Sequence, residues 1–123
     1  MSDYAVTISL PEYKRGDRWN GISSIGPVVV NSQTPSSPLT RIRMHFIHNL
    51  GEVFRLDSDT GVSPDAIINI DDSVNWQASI PEVNEFLSIS GDWKWDMEFY
   101  ESGKSGPLTF YQGVIHVYDD VTK

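Results

Sequence analysis

The apolar residues of this chain recur with period two. In LTRIRMHFIHN (39–49), Ile42, Met44 and Phe46 fall on one side of an extended backbone, and Arg41, Arg43 and His45 on the other. In GDWKWDMEFY (91–100), Trp93, Trp95, Met97 and Phe99 oppose Lys94, Asp96, Glu98 and Tyr100. A helix would scatter these residues around its circumference, whereas a strand gathers them into one buried face. Period 3.6 is almost absent, so the chain is all-β.

Other segments follow the same logic. YAVTISL (4–10) alternates up to Pro11, and GDRWNGISSIG (16–26) reads as a turn leading into an irregular strand. GPVVVNS (26–32) is a short β-branched run before the loop QTPSSP. LGE (50–52) turns the 39–49 strand into EVFRLDS (52–58), which predicts a hairpin. DSDTGVSPD (57–65) reads as a loop, and AIINID (66–71) and VNWQASI (74–80) as short strands. In SIPEVNEFL (79–87), Ser79 and Glu82 stand in the S-x-x-E relation, which predicts a single helical turn. DWKWDMEFYES (92–102) and LTFYQGVIHVY (108–118) flank a Gly-Ser-Pro turn as the closing hairpin. Many short strands with Gly and Pro turns point to an antiparallel β-sandwich or a small barrel. The 123 residues fit one domain, 1–123, with no repeat and no linker.

Composition narrows the function classes. A net charge of −8 argues against nucleic acid, whose affinity comes mainly from Lys and Arg. The only basic cluster is Lys14, Arg15 and Arg18. There is no cysteine, so neither disulfides nor thiolate metal sites form. The N-terminus lacks a basic stretch followed by an apolar one, and no apolar run is long enough for a bilayer span. The expectation is a protein kept in the cytoplasm until lysis or assembly, with no membrane partner.

No residue set reads as catalytic, cofactor-binding or metal-binding. His45 and His48 are three apart on a strand and point to opposite faces. DSDTGVSPD has Gly61 at the fifth position of a calcium-like loop and Ile68 at the twelfth, so it reads as turn chemistry. Asp96 and Glu98 share a face about 7 Å apart, within reach of paired-carboxylate chemistry, though a solvated surface explains them as well. The tryptophans admit two readings, a core or a sugar-stacking platform built on Trp19, Trp76 or Trp93. The last strand is apolar on both faces, with Leu108, Phe110, Val114 and Tyr118 on one and Tyr111, Ile115 and Val117 on the other. Either a loop or another chain must cover the outer face, and Tyr111, Ile115 and Val117 are the candidate protein interface.

Several motifs run nearly end to end: EYKRGDRWNGI, an xLTxxxMxF strand at 38–46, AIINIDDSVNWQASIPE, GDWKWDMEFYESG and TFYQGVIHVYDDVT. In this order the chain resembles small tail-associated proteins of phages, especially cyanophages and related marine phages. It is similar, more distantly, to the Ig-like N-terminal domain of baseplate upper proteins. The resemblance implies an Ig-like sandwich and a virion structural or adaptor protein that self-associates as a homo-oligomer. Its partners would be other virion structural proteins, with no cofactor and no enzymatic activity. Because such baseplate proteins carry a longer C-terminal part, the resemblance favours a connector over a receptor-binding role. In physical terms, Gly16 and Asp17 would turn Trp19 into the core, and Gly113 would allow a bulge or a close strand approach. A stand-alone carbohydrate-binding module is the alternative.

Overall fold

A computed structural model of the chain describes residues 6–7, 10–26, 37–104, 106 and 108–119. Among these residues, ten strands form two sheets. They are β1 (Val6–Thr7), β2 (Tyr13–Lys14), β3 (Ile22–Ile25), β4 (Leu39–His48), β5 (Val53–Asp57), β6 (Ala66–Ile67), β7 (Asn69–Asp72), β8 (Gln77–Ile80), β9 (Gly91–Glu101) and β10 (Leu108–Tyr118). The large sheet runs β1-β10-β9-β4-β5-β6, with β2 also paired to β10, and the small sheet runs β3-β8-β7. The predicted runs 26–32 and 33–38 lie mostly outside the described residues.

The long strands pair antiparallel, as expected, but the large sheet is mixed: β1 and β2 lie parallel to β10, and β6 parallel to β5. Each parallel pair is only two residues long, too short to register in a hydrophobic pattern. The β4–β5 hairpin closes through Asn49, Leu50 and Gly51, with Gly51 at φ +94°, where glycine meets no side-chain penalty. Lys14 to Asp17 form a turn, closed by Asp17 N–H to Lys14 C=O at 3.0 Å with Gly16 at φ +94°. Two residues on, Trp19 is buried.

One core lies between the sheets. Ile42, Met44 and Phe46 of β4 and Trp93, Trp95, Met97 and Phe99 of β9 meet Ile25, Ile68, Ala78 and Ile80 of the small-sheet side. Trp76 sits at φ +53°, an unusual value for a large residue. Its indole stacks on Phe99 with centroids 5.8 Å apart and donates from Nε1 to Ser37 O at 2.8 Å. The burial of that ring offsets a local backbone cost of about 1–2 kcal/mol.

The segment 79–87 is not a helical turn. Ser79 belongs to β8, and Val83 exchanges two backbone hydrogen bonds with Trp19 at 2.8 and 2.9 Å. Phe86 then enters the core, stacked on Trp19 at 4.0 Å and met edge-on by Tyr13, Phe46 and Phe54. Long-range aromatic packing outweighs a local capping signal here. The short helical piece lies instead at Thr60–Val62, a 3₁₀ turn inside the predicted loop.

Candidate functional site

The face of the large sheet turned away from the core carries rows of polar groups. Register decides which of them meet. Across β5, β4, β9 and β10, one row brings Asp57, Arg43 and Glu98 together, and a second brings Arg55, His45, Asp96 and Gln112. A third row sets Ile47, Lys94 and Val114 side by side. Apart from Arg55, the last two rows line an open depression of about 510 Å³.

Most charges on this face are matched within the chain. Arg41 holds Asp57 with paired hydrogen bonds, and Arg43 pairs with Glu98. Both guanidinium groups lie over the Tyr100 ring, at 5.0 and 5.9 Å from its centroid. His116 Nδ1 meets Asp92 Oδ1 at 2.7 Å. Burial, and then the charge of Arg43, depress His45 and favour its neutral form. Burial, and then the neighbouring Glu98, raise the Asp96 carboxyl above its ordinary value.

Asp96 and Glu98 do share a face, as the alternation requires. Glu98 is tied to Arg43, so the two carboxylates sit in different environments. The loop after β5 uses its acids internally. Asp57 Oδ1 accepts from Asp59 N–H, Asp59 Oδ1 from Gly61 N–H, and Asp65 Oδ2 from Arg55 N–H. These are the turn contacts that short acidic side chains make. Among the described residues, no three His, Asp or Glu side chains converge as metal ligands. His45 lies on the outer face and His48 on the inner, where Nδ1 accepts from Leu50 N–H and leaves Nε2 to donate to Ser90 O at 3.0 Å.

One expectation is corrected. Ile115 and Val117 are 0 % and 1 % exposed and belong to this chain's own core. Tyr111 is half-buried on the same side, packed edge-on to Phe99 at 5.9 Å. Tyr111 and Ile115 stand opposite Met97 and Trp93 and turn inward with them, and Val117, opposite Gly91, follows by alternation along the strand. Among the β10 residues whose burial is described, Val114 and Tyr118 are the exposed apolar ones, at 49 % and 42 %, joined on β4 by Ile47 at 49 %. Of the two readings of the tryptophans, the core is the one their burial matches: Trp19, Trp76 and Trp93 are all buried. Gly113 stands opposite Trp95, while the irregularity of β10 falls between Thr109 and Tyr111.

No protein-family model matches the chain, and a comparison with curated proteins found no match.

Proposed function

We propose that the chain is a structural component of a phage virion, a tail, baseplate, neck or fibre adaptor that works by self-association and by docking onto other virion proteins. The observation that carries this reading is the outer face of the large sheet. Ile47 and Val114 stand exposed there on either side of Lys94, within an ordered field of charges. Exposed apolar residues rimmed by polar ones are the usual makeup of a protein contact. The motif residues behind the resemblance fit a structural role, since Trp19, Met44, Phe46, Trp93 and Trp95 fill the core and Gly16 shapes a turn.

Within the all-β class we assign the Ig-like type. Two sheets around one core and N-terminal strands lying parallel to the last strand support it.

Quantitative mass spectrometry of purified particles from a producing lysate tests the reading. A fixed copy number per particle is the expected result, and a multiple of three or six would give the symmetry of the ring it joins. Absence from the particle would overturn it.

A further inference from the structure

The outer face of β9 carries one cation and one anion with no partner among the described residues. Lys94 and Asp96 are exposed and make no hydrogen bond or ion pair among the described residues, whereas their neighbours Asp92 and Glu98 are each paired. The two lie about 7 Å apart along one strand face. Burial and then Glu98 raise the Asp96 carboxyl, against the opposing influence of His45 and Arg43. Lys94 stands between the exposed apolar side chains of Ile47 and Val114.

We propose that this face is the contact between two copies of the chain, related by a two-fold axis at the level of Trp95, so that each Lys94 meets the partner's Asp96. An axis lying between the two sheets and perpendicular to their strands reverses strand direction and keeps lateral order. β9 then lies over β9, and the row Ile47, Lys94, Val114 lies over the row His45, Asp96, Gln112, twice. A two-fold contact must be complementary to itself. A cation and an anion two residues apart satisfy that condition when the strand is reversed, and both partnerless charges of β9 are used. A partner carrying one sign of charge would leave the other unmatched. Aligned sheets pack about 10 Å apart, a gap that a lysine side chain bridges. The inference rests on the self-association part of the proposed function and gives it a surface.

Sedimentation velocity of the full chain over a concentration series is expected to show a dimer that weakens with added salt. Lys94→Glu sets acid against acid across the axis, and Asp96→Lys sets base against base. Each is expected to weaken the dimer about a hundredfold or more. Mixed in equal amounts, the two variants carry matching charges at both contacts, so native mass spectrometry is expected to show a one-to-one mixed dimer. A mixture that stays monomeric overturns the proposal, as does a monomeric parent chain. A parent dimer that neither substitution weakens overturns this surface yet leaves self-association standing. The particle measurement decides the virion reading separately.

Discussion

Arg41 holds Asp57 through two parallel hydrogen bonds, Nε to Oδ1 at 2.9 Å and Nη2 to Oδ2 at 2.5 Å. Burial alone would raise this carboxyl, but the Arg41 bonds and the Asp59 amide outweigh it and hold it below its ordinary value. An acid whose folded pKa lies below its unfolded one adds stability above about pH 4, and that stability is lost as pH falls through the folded value. Asp57→Asn is therefore expected to cost about 2–4 kcal/mol at neutral pH, since it strips a mostly buried guanidinium contact. Urea titrations from pH 7 down to pH 2 should also show a flatter acid limb than the parent's. An acid limb of unchanged slope would show that other carboxylates set it.

The tryptophans differ in how their N–H groups are satisfied, and this orders the cost of replacing them. Trp76 and Trp93 donate to Ser37 O and Ile89 O, each at 2.8 Å, while the buried Trp95 Nε1 has no partner among the described residues. Phenylalanine removes similar volume at each site. At Trp76 and Trp93 it also strands a carbonyl, whereas at Trp95 it removes an unsatisfied donor. Trp95→Phe is expected to be milder than Trp76→Phe or Trp93→Phe by about 1 kcal/mol. Equal urea midpoints for the three variants would contradict this.

Alternation made the long strands legible in the sequence, because burial of one sheet face imposes a period that the residues display. β4, β9 and β10 fall at 39–48, 91–101 and 108–118, close to where the pattern puts them. What the pattern withholds is anything set by register. Arg43 reaches Glu98, 55 residues away, only through the pairing of β4 with β9. The inward face of β10 was hidden for the same reason: Val114 and Ile115 are both apolar, and the strand opposite decides between them. Phe86 was misplaced because a capping signal is local, while the aromatic cluster that claims it is assembled from distant segments. In the sequence Lys94 and Asp96 are legible only as two members of the polar face they share with Glu98 and Tyr100. Their lack of partners among the described residues emerges only once Asp92 is seen to meet His116 and Glu98 to meet Arg43.

Two glycines at positive φ separate strain from collision. Gly21, at φ +71°, lies where an added Cβ would come within 2.2 Å of Ile80 O. Gly51, at φ +94°, faces open space. Gly51→Ala is expected to cost only the left-handed backbone penalty, about 1–2 kcal/mol. Gly21→Ala adds a clash with backbone that β3 and β8 must shift to relieve, for a total of about 3 kcal/mol or more. Thermal melts would reveal the difference, and similar losses at both positions would mean that the β3–β8 junction yields easily.

Asp96 gives a prediction whose sign depends on concentration. Its folded pKa is raised, by burial first and by Glu98 second, so the folded chain binds this proton more tightly than the unfolded chain does. The associated stability is fully present below about pH 4 and lost as pH rises through the folded value, which makes the ionised carboxylate a cost at neutral pH. In dilute solution, Asp96→Asn is expected to raise Tm slightly at pH 7 and to leave it unchanged below about pH 4. At high concentration the same substitution removes the charge that Lys94 of a second copy would meet, so the dimer should weaken. Opposite effects in dilute melts and in the sedimentation series would tie one carboxylate to both roles. A gain in both would mean that Asp96 gains nothing from a second copy and that the chain associates elsewhere.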